Sequence, residues 1–284
     1  MAMVKKTQYS IGEMSRICNV SKKALRFYDE KGLISSLRHD CNNYRVYTHD
    51  EMLMVLVLKY YKQMGFKLDE MKEFIAGGCN SIPSSMREAF DQKLQELQKE
   101  KLALTRSEES LRDWRGLIHE AELVIAKGVT DVSVKYVEHA ELLFQEQPFS
   151  GDIKSAIINA HFMDYVEKTG NAITGPVYLH FSSMKNRMSG EPQAVRIMQK
   201  TLPPRTEAAL TSFGGCMMAS CYHIGDIERI FETYERFASW IERHGYIAGE
   251  DCFERYVTDY WTTSNTASHV TEILVKVDRP TKSR

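Results

Sequence analysis

Residues 9–34 read YSIGEMSRICNVSKKALRFYDEKGLI, and this stretch decides the fold of the first part of the chain. Ser10 and Glu13 have the spacing of a capping box, in which each side chain binds the other residue's backbone amide at the start of a helix. Ser21 is a good N-cap for a second helix, and Gly32 ends that helix. Two short helices joined by a tight turn predict a helix-turn-helix, although a generic helical hairpin has the same pattern.

Residues 33–47 indicate a small β-wing beside the two helices. Asn42-Asn43 is a turn signal between two short extended runs. Arg38 and Arg45 lie at the edges of this predicted hairpin. Two further helices, separated at Gly65, are predicted beyond the wing: Asp50–Met64 and Leu68–Ile75.

Cationic and polar side chains are concentrated on the predicted second helix and on the wing. The groups there include the free amides of a helix N-terminus, nearby cations and a guanidinium between tyrosines. Such groups bind DNA phosphates, and a helix that carries them can enter the major groove. Each residue taken singly could be a solvated surface residue, but their concentration favours DNA binding. The predicted DNA-contact residues are Ser21, Lys22, Lys23, Arg26, Tyr28, Arg38, Tyr44, Arg45, Tyr47 and Lys62.

The composition limits where such a surface can lie. The chain has 284 residues, 43% of them hydrophobic and 26% charged, which suits a globular protein of two domains with a connector. Its net charge of −1 creates no global field that attracts nucleic acid. Residues 1–75 nevertheless carry 13 Lys or Arg against 9 Asp or Glu, whereas the other 209 residues carry 24 against 29. The DNA-binding surface is therefore expected to be local and N-terminal.

The cysteines and the apolar runs bear on location. The six cysteines form no CxxC pair and no regular framework, so reduced thiols of an intracellular protein are expected. The sequence contains no apolar run long enough for a membrane span and no apolar signal-peptide core. We therefore expect a cytoplasmic protein with no membrane association.

A long helix is predicted from residue 83 to residue 127, after a linker at Gly77–Pro83. Apolar residues recur at every seventh position along it: Phe90, Leu97, Leu104, Leu111, Ile118 and Ile125. Six consecutive heptads are typical of a coiled coil, and a coiled coil needs a partner helix, so a homodimer is expected. The alternate seam positions are mostly charged, which favours a short or antiparallel contact. One long helix packed on its own domain is the alternative.

Residues 130–284 show the pattern strand, helix, strand, strand twice. The two predicted helices, Asp152–Lys168 and Asp226–His244, start 74 residues apart, and the glycines that end them lie 75 apart. Two copies of a β-α-β-β unit facing each other predict a pseudo-symmetric α+β domain with a cleft between its halves. The expected fold class is therefore multidomain, α and α+β, with predicted domains at 1–77, 83–127 and 130–284.

Short motifs in the first 75 residues resemble the MerR family of regulators: Tyr9-Ser-Ile-Gly-Glu, Ala24-Leu-Arg-Phe-Tyr-Asp, Gly32-Leu-Ile, Tyr44-Arg-Val-Tyr and Met64-Gly-Phe. The resemblance implies a winged helix-turn-helix, an antiparallel coiled-coil homodimer and an inverted-repeat operator in double-stranded promoter DNA. It also implies an activator that bends and untwists an overlong promoter spacer, so that RNA polymerase engages both promoter elements. Bending of this kind costs on the order of several kcal/mol.

The C-terminal part resembles, more loosely, the GyrI-like effector domain. The resemblance rests on the duplicated unit and on the motifs at His223–Asp226, Phe253–Tyr256 and Thr271–Ile273. In regulators of the MerR family, such domains are similar to multidrug sensors. The resemblance therefore implies a drug-like effector, a lipophilic cation, held in an aromatic pocket with a buried carboxylate.

The residues themselves offer the groups that such a pocket needs, since ring faces and an uncompensated negative charge hold a flat cation. Glu254 and Tyr256 lie at i and i+2 on one predicted strand, and Tyr178 on the mirrored strand is expected to face them across the cleft. An aromatic residue on a strand can equally be core, and the alternative carboxylate can equally form a structural ion pair. The remaining candidates are Phe181, Tyr222, Tyr165, Tyr260 and Trp261, with Glu272 as the alternative carboxylate.

Two other functions compete with ligand sensing. A MerR-like metal sensor would use Cys79 together with a thiolate just past the long helix, but no cysteine lies between 80 and 215, and a soft metal needs two or more. Some GyrI-like domains resemble small hydrolases, and Glu254 with a tyrosine could act as an acid/base pair. No nucleophile–base arrangement stands out, so we expect a regulator with no metal, no cofactor and no catalytic residue.

Overall fold

The structure of the protein, a computed structural model, describes residues 7–38, 44–76, 82–206 and 208–279. The chain divides into two compact units, residues 1–102 and 103–284. The predicted turn at Asn42-Asn43 and the candidate metal ligand Cys79 lie outside the described residues, and so does most of the predicted linker.

The N-terminal unit begins as its capping pattern predicts. Ser10 accepts a hydrogen bond from the amide of Glu13, and Glu13 accepts one from the amide of Ser10 at 2.9 Å. Ser21 likewise accepts from the amide of Ala24 at 3.1 Å. Asn19, with a φ of 50°, turns the chain from the first helix into the second. The helices of this unit are α1 (Ile11–Cys18), α2 (Lys22–Glu30), α3 (His49–Gln63) and α4 (Leu68–Ala76).

Three short antiparallel strands lie beside these helices within the described residues. They are β1 (Gln8–Ser10), β2 (Leu37–Arg38) and β3 (Arg45–Thr48), in the order β1-β3-β2. The helices and β3 share one apolar core, whose buried members include Met14, Cys18, Leu25, Leu33, Ile34, Val55, Leu58, Phe66 and Met71. The predicted winged helix-turn-helix is confirmed.

A single long helix, α5, spans Ile82–Lys127 and confirms the predicted one. Phe90 packs against the N-terminal core, but the apolar residues that follow it at every seventh position, from Leu97 to Ile125, are exposed, with Leu104 and Leu111 each 71% exposed. An open apolar stripe of this length is the seam that a coiled-coil partner covers. Within the C-terminal unit, a second stripe of α5 packs instead against the sheet, through Leu117, Ala121 and Val124. The homodimeric partner stays a prediction.

The C-terminal unit is one antiparallel sheet with four helices on one face and the C-terminal part of α5 on the other. Its helices are α6 (Ile153–Ile157), α7 (Ala160–Lys168), α8 (Met184–Ser189) and α9 (Ile230–Arg243). Its strands are β4 (Ser133–Val137), β5 (Ala140–Pro148), β6 (Ile173–Phe181), β7 (Ala194–Thr201), β8 (Leu210–Phe213), β9 (Cys216–Ile224), β10 (Ile247–Ala248), β11 (Cys252–Thr258) and β12 (Val270–Asp278).

The strand order shows an internal symmetry. Hydrogen-bonded neighbours follow the order β4-β9-β12-β11-β6-β7-β5-β8, with β10 added beside β12. Exchanging β4, β5, β6 and β7 with β8, β9, β11 and β12 reverses this order into itself. The two halves therefore meet between β6 and β11 at the centre of the sheet. The predicted duplication is confirmed. Each half is a β-β-α-β-β unit instead of the predicted β-α-β-β unit, and the difference arises because the sequence pattern did not reveal β5.

Two further elements differ from the prediction. The single helix expected over Asp152–Lys168 is wrong, because Asn159 adopts an extended conformation and divides it into α6 and α7. The Asn159 side chain accepts a hydrogen bond from the amide of Phe162 at 2.8 Å and so begins α7. The short helix α8 was not predicted. Ser183 caps its start, and Gly190, with a φ of 71°, ends it.

Candidate functional site

Most of the predicted DNA contacts lie on the surface of the N-terminal unit. Lys22, Lys23 and Arg26 project from the first turns of α2, whose N-terminal amides and positive dipole end favour an anion. The predicted contacts that are exposed are Ser21, Lys22, Lys23, Arg26, Arg38, Tyr44 and Lys62. This set combines a helix N-terminus with six other polar groups, as a phosphate-binding surface requires.

Arg45 ties the wing to α2. Its Nε donates to Asp29 Oδ2 at 2.8 Å, and Asp29 also accepts from the amide and the hydroxyl of Ser36. Burial acts to raise the pKa of Asp29, but these hydrogen bonds outweigh it and lower that pKa. Arg45 also lies directly opposite Arg38 across the two wing strands.

Two predicted contacts, Tyr28 and Tyr47, are core residues instead. Their side chains are 5% and 0% exposed, and both rings belong to the apolar core of the N-terminal unit. Among the described residues, the hydroxyl of Tyr47 has no hydrogen-bond partner. The prediction that Tyr47 touches DNA is therefore wrong. The ring of Tyr28 lies on the buried face of α2 and packs into the core.

The two faces of the C-terminal sheet separate the predicted ligand residues. Strands β6 and β11 pair with Tyr178 opposite Arg255 and with Leu179 opposite Glu254. Directly opposite residues share a face, and successive residues along a strand alternate between faces. Tyr178 and Glu254 therefore lie on opposite faces, and the prediction that Tyr178 faces Glu254 and Tyr256 is wrong. The alternation of side chains along one strand can be predicted from its own sequence. The register between two strands depends on residues far apart in the chain, and the prediction failed for that reason.

Glu254 is fully buried on the face that packs against α6, α7, α8 and α9. Arg187 Nε donates to its Oε1 at 2.8 Å, and the Tyr234 hydroxyl donates to the same oxygen at 2.9 Å. The Tyr256 hydroxyl donates to Oε2. Arg187 is 5% exposed. From the sequence, Glu254 is expected to carry an uncompensated charge. In the structure its partners are a guanidinium and two phenols, as a buried charge requires.

Three phenylalanine rings surround the guanidinium of Arg187. Its central carbon lies 4.9 Å from the ring centre of Phe181, 5.0 Å from that of Phe231 and 5.6 Å from that of Phe149. Ring faces attract a cation through their quadrupole, most strongly when water is excluded. We call this cluster the Glu254 site; it consists of Glu254, Arg187, Tyr234, Tyr256, Phe149, Phe181 and Phe231.

The protonation states in the Glu254 site follow from burial and from the central ion pair. Burial alone would lower the pKa of Arg187, but the attraction of Glu254 more than compensates and raises it. Burial raises the pKa of Tyr234 and of Tyr256 well above the ordinary value, and the negative charge of Glu254 adds to both shifts. Arg187 therefore stays charged and both phenols stay protonated donors around neutral pH.

The residue after Glu254 faces the other side of the sheet. The terminal nitrogens of Arg255 donate to the two oxygens of Glu120 on α5 at 2.7 and 2.6 Å, and one also donates to Glu272 at 2.8 Å. Tyr222 donates to Glu120 at 2.9 Å, and Lys135 donates to Glu272. The structure thus uses Glu272 and Tyr222 in an ion-pair network, and we call the bidentate contact the Arg255–Glu120 clamp.

A cavity of about 780 Å³ opens on this second face, beside the C-terminal part of α5. Tyr178, Arg255 and Lys200 contribute to its lining. Lys200 donates to Asp113 at 3.0 Å and also pairs with Glu109 at 3.0 Å. Lys200 and Arg255 are both paired with carboxylates of α5, so this cavity is lined by ion pairs, unlike the aromatic pocket that the sequence suggested.

The other predicted wall residues make local contacts. The Tyr165 hydroxyl accepts a hydrogen bond from the amide of Ala209 at 3.1 Å. Trp261 is 49% exposed, and its indole nitrogen donates to a backbone carbonyl of α6 at 3.3 Å. Tyr260 holds the ammonium of Lys154 at 5.2 Å from its ring centre. Whether any of these rings touches a ligand stays a prediction, whereas Phe181 is part of the Glu254 site.

Sequence reasoning missed Arg187 and Tyr234, the two central partners of Glu254. Tyr234 lies on an apolar stripe of α9 with the spacing of a buried helix face, formed with Ile230, Phe237 and Ile241. A hydroxyl on such a stripe needs a buried acceptor, and this is the signal that could have found it. Arg187 lies between cap residues of α8, but no periodicity marks so short a helix.

Asp259 follows β11 and gives a pH-dependent prediction. It is 1% exposed, and burial raises its pKa to about 6 although it accepts a hydrogen bond from the amide of Trp261. A carboxyl with a raised folded-state pKa binds its proton more tightly when folded, so the folded state loses stability as the pH rises through that range. Asp259→Asn is therefore expected to raise the free energy of unfolding at neutral pH by on the order of 1–3 kcal/mol.

Urea unfolding of wild type and Asp259→Asn across the range from about pH 4 to pH 7 measures this difference. The gain should be small at the acidic end and grow toward neutrality, because asparagine keeps the acceptor for Trp261 and never ionises. A gain that is constant over the whole range, or a loss at neutral pH, would contradict the assignment.

The described residues also bear on membranes and metals. Among the described residues, no helix has the length and apolarity needed to cross a membrane. The same part of the chain contains no group of three or more His, Cys, Asp or Glu side chains placed to hold a metal ion. Burial raises the pKa of Cys221 and of Cys252 to about 12, so both thiols stay protonated.

Comparison with known proteins matches the two units separately. Residues 9–77 match the MerR HTH family regulatory protein, and residues 130–278 match the GyrI-like small molecule binding domain. The chain is 24% identical to the multidrug-efflux transporter 2 regulator of Bacillus subtilis, over 96% of this chain and 97% of that protein. It is 41% identical over 71 residues to the multidrug-efflux transporter 1 regulator of the same organism, over 25% of this chain and 26% of that protein. EcmrR, in a cryo-EM structure with DNA, is 19% identical, with coverage of 96% and 100% and a TM-score of 0.46.

The two matches define a class: a DNA-binding regulator joined to a small-molecule-binding domain. The chain belongs to the GyrI-like family through residues 130–278 and, with its MerR helix-turn-helix at residues 9–77, is a MerR-family transcription regulator with a GyrI-like ligand-binding domain. Both resemblances seen in the sequence motifs are confirmed.

Proposed function

We propose that this regulator binds double-stranded promoter DNA as a homodimer and activates transcription when it binds a lipophilic, cationic small molecule. The exposed cations of α2 and the wing support phosphate and groove contacts. The open apolar stripe of α5 supports the dimer, and a twofold dimer calls for an inverted-repeat operator. RNA polymerase at that promoter is the expected partner, which implies action in the cytoplasm. We assign DNA binding to residues 1–77, dimerisation to the helix at 83–127 and ligand binding to residues 130–284.

The class of ligand is inferred from one observation: the Glu254 site already holds a planar cation, the guanidinium of Arg187. The guanidinium of Arg187 is held by a carboxylate, and three rings surround it. These are the contacts that a flat, delocalised cation with apolar rings would use. The Bacillus subtilis relative is named as a regulator of a multidrug-efflux transporter, which supports a drug-like effector.

A route from ligand to DNA is built into β11. Glu254 and Arg255 are successive residues on opposite faces of this strand, and Arg255 clamps Glu120 of α5. A displacement of β11 at the Glu254 site therefore reaches α5 through one peptide unit and two hydrogen bonds. Helix α5 spans Ile82–Lys127, and we propose that it passes such a displacement on toward residues 1–77.

We propose that the chain binds its ligand without transforming it. Both oxygens of Glu254 are engaged by Arg187 and two tyrosines, so this carboxylate has no free basic site. The two Bacillus subtilis relatives are named as regulators.

The test compares 4-phenylbenzamidine, a planar amidinium, with 4-phenylbenzamide, its neutral isostere, by calorimetry on the full-length protein. The amidinium is expected to bind more tightly by at least about tenfold, a preference of roughly 1.4 kcal/mol, and Glu254→Gln should abolish that preference. Glu235→Gln, at an exposed carboxylate of α9, is the matched control and should leave it intact. Equal affinity for the two compounds would refute the cationic ligand class.

A further inference from the structure

We propose that Arg187 is a tethered stand-in for the ligand: its guanidinium occupies the subsite that a cationic ligand takes, and the ligand binds by expelling it. This inference rests on the proposed function, because it concerns how the same site is filled before the ligand arrives. Arg187 itself makes the carboxylate contact and the ring contacts within the Glu254 site.

With Arg187 in place, the site has nothing left to attract a cation. The charge of Glu254 is matched, since Arg187 Nε lies 2.8 Å from Oε1. The rings of Phe149, Phe181 and Phe231 already surround a positive group. An incoming cation therefore gains these contacts only as the guanidinium gives them up, and its apparent affinity is reduced by that competition.

The exchange is nearly balanced in electrostatic terms. A buried ion pair loses the hydration of both ions, and the attraction between them only partly restores that loss. Once displaced, the guanidinium of Arg187 regains its hydration, while Glu254 keeps a positive partner throughout. A planar ligand cation that carries aromatic rings adds apolar burial that Arg187 does not supply. That added burial drives the exchange and selects lipophilic, flat cations over small hydrophilic ones.

Helix α8 is suited to release its arginine. Of its six residues, Arg187 is the buried one, and the others are half-buried or exposed. The helix begins at the cap residue Ser183 and ends at Gly190, so it is a separate element between β6 and β7. Phe231, one wall of the cage, is 36% exposed, which places the guanidinium one ring away from solvent. The exit we propose for the Arg187 side chain is past the ring of Phe231.

The first experiment titrates 4-phenylbenzamidine into full-length wild type, Arg187→Met and Lys185→Met by calorimetry. Arg187→Met removes the competing cation and keeps a flexible side chain of similar length, so affinity should rise by at least about tenfold. Lys185 is the exposed cation on the same helix, and its replacement should leave affinity within about twofold. Unchanged or weaker binding by Arg187→Met overturns the proposal.

The second experiment uses the wild-type protein, because Arg187→Met leaves a buried carboxylate without its partner and could unfold the unit. Phenylglyoxal modifies accessible guanidinium groups, and peptide mass spectrometry reports each arginine separately. Arg187, at 5% exposure, should be protected in the free protein and modified at saturating 4-phenylbenzamidine. Arg229, whose side chain is 70% exposed, should react in both states. Continued protection of Arg187 in the ligand-bound protein overturns the proposal.

The two experiments separate failure of this inference from failure of the proposed function. If wild type prefers the amidinium to its neutral isostere while Arg187 stays protected, the ligand class stands and the stand-in role of Arg187 is wrong. If neither wild type nor Arg187→Met prefers the amidinium, both are wrong. The double variant Arg187→Met/Glu254→Gln carries no charge pair, and loss of the preference in it ties the gain in Arg187→Met to the carboxylate.

Discussion

Replacing Lys22, Lys23 and Arg26 together with alanine is expected to weaken operator binding by at least about 100-fold near physiological salt. The three side chains are exposed on the first turns of α2, where the helix N-terminus already favours phosphate oxygens. Each lost phosphate contact also removes the release of condensed counterions from the DNA. A homodimer loses each contact twice, so the effect is doubled in free energy.

The salt dependence of binding identifies the origin of that loss. The slope of log affinity against log salt should become shallower by about 0.9 for each phosphate contact removed, which is several units for a dimer. Fluorescence anisotropy at several salt concentrations measures it, with an operator selected from random-sequence duplexes by the wild-type protein. The matched control, Lys154→Ala/Lys168→Ala/Lys185→Ala, removes three exposed lysines from the C-terminal unit and should retain both affinity and slope. An unchanged slope in the α2 variant would place the DNA contacts elsewhere.

The N-terminal unit could be predicted closely because its signals are local. Ser10, Glu13 and Ser21 act on amides three residues away, and Asn19 and Gly32 end the helices that they follow. Both partners of each such interaction lie within a few residues of each other, so the spacing of residues in the sequence is enough to predict it. The seven-residue stripe of α5 is local in the same sense. Burial of a particular tyrosine is not local, and Tyr47 was for that reason misplaced on the surface.

The Glu254 site could be predicted only in part, because its partners come from distant positions. Glu254 itself was found, since a carboxylate within an apolar strand signals a buried partner. Its partners Arg187 and Tyr234 lie 67 and 20 residues away on different helices. The pairing of Tyr178 with Arg255 is likewise set by strand register, and a register shift of one residue would exchange the faces. Alternation within one strand contains no information about its neighbour.

The ion pair at the centre of the Glu254 site should dominate the stability of the C-terminal unit. Arg187→Met and Glu254→Gln are each expected to lower the free energy of unfolding by about 3–5 kcal/mol, because each leaves a buried charge without its partner. The double variant should lose much less than the sum. In it, the glutamine oxygen can still accept from Tyr234, and the methionine side chain can fill the space among the three rings.

Urea unfolding followed by tryptophan fluorescence measures all four proteins of this cycle, since Trp114, Trp240 and Trp261 all lie in the C-terminal unit. The coupling energy between Arg187 and Glu254 should be at least about 2 kcal/mol, since contacting buried charges are strongly non-additive. Additive losses would mean that the two side chains act independently. The same cycle bears on ligand binding: a cation bound to Arg187→Met restores the missing positive partner, so saturating 4-phenylbenzamidine should return part of the lost stability to that variant and none to the double variant. Stability and ligand specificity would then have one physical cause, the need of the Glu254 carboxylate for a planar cation.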